Sequence, residues 1–181
     1  GLSFSAALRS ILRQDPDVLL IGEIRDQETA DIAVKFSMTG HLVFSTVHAN
    51  DAPSTISRLL DLGIPPFLLG SSLNLIMAQR LVRTIDSNEK EKDTPTSDQI
   101  KRLGIPSKDA SKINFFRGKP TQQNHNTGYK GRTAIHEILE VNSSIREMIF
   151  EGKSESEIKN QAIKNGMTPL REAGIDKIKE G

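Results

Sequence analysis

Glu23 and His48 are the side chains of this sequence best suited to act on a phosphate-bound metal ion or on a water molecule. Glu23 closes the run Val18-Leu19-Leu20-Ile21-Gly22-Glu23 and is followed by Ile24, Arg25 and Asp26. Four consecutive apolar residues describe a short buried strand, as in a parallel sheet. In open α/β sheets ligands lie just past the carboxyl ends of such strands, which is where Glu23 falls. His48 closes a second such run, Leu42 to Val47, which opens after His41. Alone, Glu23 is equally well read as a solvated strand end, and a single loop histidine is usually structural or solvated. A glutamate and a histidine past neighbouring strand ends point to a site.

The elements between them make that neighbourhood credible. Asp26 is placed as a helix N-cap. Ala30, Ala33, Val34, Ser37 and Met38 then recur at helical spacing toward Gly40, a typical stop. Strand, helix and strand in this order make adjacent parallel strands, so Glu23 and His48 share one sheet edge while His41 begins its strand at the other. Upstream, residues 3–14 form an amphipathic helix, with Phe4, Ala7, Leu8, Ile11 and Leu12 on one face and Arg9 and Arg13 opposite. Asp15-Pro16-Asp17 ends it. Downstream, Pro53 to Leu62 is a short helix with Ile56, Leu59 and Leu60 inward, ended by Gly63. Pro65-Pro66 starts a longer helix running to about Val82.

From Thr84 to Asn126 the sequence turns polar, and TIDSNEKEKDTPTSDQ reads as a solvated loop. Short helical pieces are expected at Ile100 to Leu103 and Lys108 to Ile113. Thr127 to Arg132 is a glycine-rich turn into a strand over Thr133 to Leu139. The tail is helical, with a capping box at Ser154–Glu157, stops at Gly152 and Gly166, and a Thr168-Pro169 cap. Its core positions are Ile145, Met148 and Ile149, then Ile158, Ala162 and Ile163, then Leu170, Ile175 and Ile178.

Composition narrows the function classes. The 181 residues can bury one core with a small appendage. Net charge is +1, from 24 basic and 23 acidic side chains, so no global field draws in nucleic acid or an anionic membrane. The absence of cysteine excludes disulfides and thiolate metal sites. No apolar run approaches the roughly 18 residues of a membrane span. Arg9 and Arg13 interrupt any signal-peptide pattern. The expectation is a soluble, cytoplasmic piece. No G-x-x-x-x-G-K-[ST] phosphate loop occurs in the chain.

DPDVLLIGEIRD followed by TGHLVFSTVHAND resembles the Walker B region and His box of the secretion ATPase superfamily, the motors of type II secretion and type IV pilus assembly. The likeness begins at Gly1-Leu2-Ser3-Phe4 and LRSILRQ. It continues through RLLDLGIPPFLLGSSL to Ala78-Gln79-Arg80-Leu81-Val82-Arg83, and resumes at Thr127-Gly128-Tyr129-Lys130-Gly131-Arg132 and Asn165 to Arg171. It implies the C-terminal part of a RecA-like P-loop NTPase domain, α/β with a mostly parallel sheet, plus a small helical C-terminal subdomain. Residues 1–83 would be the C-terminal half of the RecA-like core, 84–126 a polar insert replacing a zinc module, and 127–181 the last strand and the helical subdomain.

The resemblance also implies roles. Glu23 would hold Mg²⁺ through water or polarise the attacking water of ATP hydrolysis. His41 and His48 resemble the His-box pair, with His48 the better placed to report the γ-phosphate, and Arg80 resembles a nucleotide-contacting position. Arg25 and Asp26 would pair with each other or act in a ring interface. The assembly class carries two CxxC motifs, and the matching positions here are Asp86, Glu89, Thr121 and Asn124, a poor tetrahedral site for Zn²⁺. No zinc is expected, and His125 reads as a solvated surface histidine. The long insert and TGYKGR favour the assembly class over pilus retraction.

The intact protein would be a homo-hexameric ATPase using ATP and Mg²⁺. It would work with an inner-membrane platform and cytoplasmic adaptor proteins, in the cytoplasm and peripheral to the inner membrane, without nucleic acid. This chain alone, lacking the phosphate loop, would be inactive. The alternative is a non-catalytic ring or scaffold component binding the platform; a DNA-translocating ATPase finds little support in the balanced charge.

Overall fold

A strand–helix–strand unit forms the base of the fold. The computed structural model describes residues 4–181, apart from the side chains of Phe4, Ser5, Arg9, Leu12 and Ser107. The expected helix start at Ser3, the facing of Phe4, Arg9 and Leu12, and Gly1 to Ser3 of the family likeness lie outside the described residues. Helix α1 (Phe4–Leu12) buries Leu8, but Ile11 is exposed, so its apolar stripe is narrower than the spacing predicts. Strand β1 (Val18–Ile21), helix α2 (Gln27–Met38) and strand β2 (Leu42–Ser45) follow, the strands parallel with Val18 opposite Leu42 and Ile21 opposite Ser45. Asp26 caps α2 by accepting the Thr29 N–H at 2.8 Å. Ala30, Ala33 and Val34 are buried as expected; Met38 is exposed.

The strands differ from expectation on one face. Leu19 and Ile21 are buried, whereas Val18, Leu20, Leu42 and Phe44 are exposed, Leu20 by 76%. The sequence is written for a sheet covered on both sides, and among the described residues only one side is covered.

Helix α3 (Ala52–Asp61) is capped by Asp51 in a reciprocal box with Ser54 and buries Ile56 and Leu59. Gly63, at φ +92°, turns the chain out of it. Helix α4 (Pro66–Ser72) is short, and the long helix expected to Val82 gives way to strand β3 (Leu75–Ile85). Leu, Met, Ala, Gln and Arg favour helix locally, but pairing overrides that preference. The polar segment is likewise not all loop. Strand β4 (Lys90–Asp93), helices α5 (Ser97–Leu103) and α6 (Ser107–Ala110) and strand β5 (Phe115–Gly118) succeed one another. β4 and β5 pair antiparallel from Lys90–Gly118 to Asp93–Phe115. Their charges form cross-strand contacts: Arg117 Nε donates to Glu91 at 2.8 Å, and Lys90 Nζ lies 4.1 Å above the Phe116 ring.

Strand β6 (Tyr129–Glu140) starts earlier than its β-branched stretch suggests and pairs with β3. Bonds from Val141 N–H to Asn74 O and Asp86 N–H to Gly128 O, at opposite ends, make this pair antiparallel. The parallel pairing expected of the sheet is confined, among the described residues, to β1 and β2. Helices α7 (Ser143–Phe150), α8 (Glu155–Lys164) and α9 (Leu170–Glu180) complete the chain. The Ser154 capping box and the stops at Gly152 and Gly166 form as expected. Ile163 does not join the core and is exposed. The Thr168-Pro169 cap is replaced by a tertiary one: the buried Glu137 carboxylate on β6 accepts the Leu170 N–H at 3.0 Å.

The chain forms two compact units, Gly1–Ala78 with Ile138–Met167, and Gln79–Glu137 with Thr168–Gly181. In the first, α7 packs on α4 and α8 on α3. The Phe150 ring lies so close to Gly70 that a Cβ there would stand 2.5 Å from it. In the second, the backbones of Gly118 and Gly128 touch: a Cβ on Gly118 would lie 1.8 Å from the Gly128 oxygen. No described helix is long and apolar enough to cross a membrane.

Candidate functional site

Past their last paired residues, β1 and β2 stay fastened to each other. Ile24 N–H donates to Thr46 O at 2.9 Å, and Thr46 Oγ1 donates to Gly22 O at 2.7 Å. This brings Glu23 and His48 together, with His48 Nε2 3.2 Å from Glu23 Oε2. An ionised carboxylate only accepts, so this ring nitrogen carries the proton. The Arg25 guanidinium binds the other oxygen, Oε1. The Arg25 hydrogen bond above all, with the Arg25 charge and His48 behind it, outweighs the opposing desolvation and holds the Glu23 pKa below its ordinary value. Glu23 is therefore held in its ionised form. Its side chain is 31% exposed and that of His48 88%, so the pair stands open at the sheet edge.

The other expected site residues lie elsewhere. His41 is at the opposite end of β2, its ring stacked on Phe36 at 4.0 Å between centroids and its Nδ1 2.9 Å from Thr39 Oγ1. Arg80 belongs to the second unit and is an exposed residue of β3, not the helix-surface position its surroundings suggested. Asp26 is occupied as the α2 cap and does not pair with Arg25. Thr46, Asp51 and Lys159 were not singled out by sequence reasoning. The D-x-x-S spacing of Asp51 and Ser54 was a legible capping signal; nothing in the sequence links Lys159 to the site.

Asp86, Glu89, Thr121 and Asn124, the positions expected to replace a zinc site, lie in the second unit. Asn124, 2% exposed, accepts the N–H groups of Thr121 at 2.9 Å and Gly128 at 3.0 Å through Oδ1, and donates through Nδ2 to Lys119 O at 3.0 Å. Asp86 is also buried and accepts the Asn88 N–H at 3.2 Å. Glu89 meets Lys119 through its backbone oxygen, at 2.8 Å. The Asp86 and Asn124 side chains thus hold backbone, whereas, among the described residues, the buried Thr121 hydroxyl has no hydrogen-bond partner and no cluster of three or more His, Cys, Asp or Glu side chains suited to a metal occurs. His125, exposed at φ +54°, sits at the same corner.

The family described as Type II/IV secretion system protein matches residues 1–181. The chain is 45% identical over 182 residues to the type IV pilus assembly ATPase PilB of Myxococcus xanthus, covering 100% of this chain and 32% of that protein. It is 43% identical over 180 residues to the type II secretion system ATPase E of Vibrio cholerae, covering 99% of this chain and 35% of that protein. It thus spans about a third of the length of these relatives. The crystal structure of the pilus retraction motor PilT with bound ADP matches with a TM-score of 0.54 at 28% identity, over 94% of this chain and 42% of that one. The Legionella pneumophila ATPase DotB matches with a TM-score of 0.64 over 99% of this chain and 39% of that one, at 20% identity, a likeness of fold alone. The fold is the RecA-like α/β fold of these ATPases with a helical C-terminal part, and the chain belongs to the type II/IV secretion system protein family.

Proposed function

We propose that this chain is the C-terminal part of an ATP-hydrolysing motor that drives pilin or pseudopilin polymerisation in type IV pilus assembly or type II secretion. The observation that carries the reading is the Glu23–His48 contact past the carboxyl ends of two parallel strands. Relatives about three times as long, and an apolar outer face on β1–β2 fit for a further layer, support it. The phosphate loop that the chain does not contain is then supplied by the rest of the longer protein, and this chain alone binds ATP weakly and does not turn it over.

Magnesium–ATP supplies the electrophilic phosphorus and the metal's charge when bound. Mg²⁺ binds through one or two carboxylates, water and substrate phosphates, so a single ionised carboxylate is a fitting contribution from this chain. The Glu23 carboxylate would hold the cation through water or polarise the attacking water. Arg25 fixes one carboxylate oxygen. His48, open to solvent, is free to move its Nε2–H from Glu23 to a γ-phosphate oxygen and so signal its presence. Arg80 is assigned a nucleotide contact on the family likeness, whereas the stacking of His41 on Phe36 favours a brace at the start of β2. The motor would be a homo-hexamer on the cytoplasmic face of the inner membrane, docked to a platform protein and a cytoplasmic adaptor.

Steady-state ATPase activity of the longer protein beside its Glu23→Gln variant tests this. The expected loss is about 10²–10⁴-fold with nucleotide binding retained, the scale of a lost acid–base or water-orienting group. No turnover by the assembled wild type would replace the motor with a non-catalytic ring component.

A further inference from the structure

Asp51 closes the loop that carries His48 out of β2, and both of its carboxylate oxygens are engaged. Oδ1 accepts the Ser54 N–H at 3.0 Å as the α3 cap, and Oδ2 accepts Lys159 Nζ at 2.7 Å. The Asp51 side chain is 17% exposed and that of Lys159 37%, so solvent screens this pair less than a surface ion pair. Lys159 reaches it from α8, which packs on α3 with Ile158 and Ala162 buried on either side of it in sequence.

His48 therefore sits in a loop with two anchors. At the strand end Thr46 is held through its carbonyl and its hydroxyl; at the helix end Asp51 is held by Ser54 and Lys159. Ser54 also donates its hydroxyl to Asp51 O at 3.0 Å and accepts the Asp51 N–H at 3.0 Å, but it lies on α3 itself. At the helix end, Lys159 is the anchor that comes from another element. We infer that Lys159 is a positioning residue for the Glu23–His48 site: its ion pair with Asp51 fixes the loop that holds His48 within reach of Glu23. The inference rests on the proposed ATPase reading and adds to it a dependence of the site on the C-terminal helices. Losing the ammonium leaves Asn50 and Asp51 bonded to Ser54 and Thr55 of α3, but the loop end and the start of α3 then lose their tie to α8 and can shift together. A drift near 1 Å at a catalytic centre costs up to about 10²-fold in rate; with the Thr46 anchor intact, about tenfold is expected here.

The test is ATP turnover by the longer protein carrying Lys159→Met, Lys159→Arg, Asp51→Asn, and Lys159→Met with Asp51→Asn, alongside Glu23→Gln. The expected result is a kcat about tenfold lower in Lys159→Met with KM for ATP within about twofold, recovery in Lys159→Arg, and no further loss when Lys159→Met is added to Asp51→Asn. An unchanged kcat, a change confined to KM, or an equal additional loss in the Asp51→Asn background overturns the inference. So does misfolding of Lys159→Met that Lys159→Arg does not relieve, which would make the pair structural. Turnover that ignores Glu23→Gln overturns the site reading itself, and this inference falls with it.

Discussion

Replacing Asn124 with alanine should loosen the corner of the second unit by about 2–4 kcal/mol. The carboxamide serves three backbone groups, the N–H of Thr121, the N–H of Gly128 and the carbonyl of Lys119, from a residue only 2% exposed. A buried backbone group left without its partner costs about 1–3 kcal/mol, and some of that is recovered as the corner opens to water, which gives the range stated. Asn124→Asp keeps both acceptor bonds, loses the donor to Lys119 and adds a buried charge, so it should also destabilise. Urea unfolding followed by far-UV circular dichroism reads the stability, and amide hydrogen exchange at Gly128 and Thr121 reads the corner itself. A loss below about 1 kcal/mol for Asn124→Ala, or a Gly128 amide that keeps its protection, would refute the reasoning. Because hydrogen bonds close this corner, a strong zinc chelator should leave the wild-type transition in place, and a chelator-induced drop would point to a bound cation.

Two further outcomes follow from the first unit. Burial pushes the Asp51 pKa up, but the hydrogen bonds from Lys159 and Ser54 and the Lys159 charge together pull it below its ordinary value of 3.8. A depressed folded pKa gives stability that is present above the unfolded value and lost as pH falls through the folded one. Acid unfolding should therefore be less steep below about pH 4 in Asp51→Asn than in the wild type, as read by circular dichroism across a pH series. Leu20, 76% exposed on the open face of β1, should tolerate Leu20→Lys in this chain alone within about 0.5 kcal/mol, with less self-association in light scattering. In the longer protein the same change should abolish turnover if that face is covered, and unchanged activity there would mean that the face stays bare.

Period and punctuation carried the first unit. The apolar runs, the Asp26 cap and the Gly40 and Gly63 stops placed two parallel strands and their helices, and with them the Glu23–His48 contact, because each signal is local. Local signals failed where pairing overrode propensity. Leu75–Ile85 opens with helix formers from Met77 to Leu81 yet pairs with β6, and the charged Lys90–Asp93 is a strand because Arg117 and Phe116 face it. Tertiary caps were equally invisible: nothing beside Pro169 announces that Glu137 closes α9, and nothing near Asp51 announces Lys159. Asn124 stood out only as a position lacking a thiolate, and its hydrogen bonds became legible once Lys119, Thr121 and Gly128 were seen around it.

The ion pair between Asp51 and Lys159 spans 108 residues of sequence, whereas the bond that fastens Thr46 to Gly22 spans 24. On a ribosome adding about 5–20 residues per second, Lys159 emerges roughly 5–20 s after Asp51. The parallel strands can pair, and Glu23 and His48 can meet, well before the lysine exists. A chain released early would thus display both side chains of the site while lacking the brace from α8. Synthesis of α8 thus sets the moment at which the loop after β2 gains its second, long-range tie, so local pairing and distant bracing are separated in time as the chain is made.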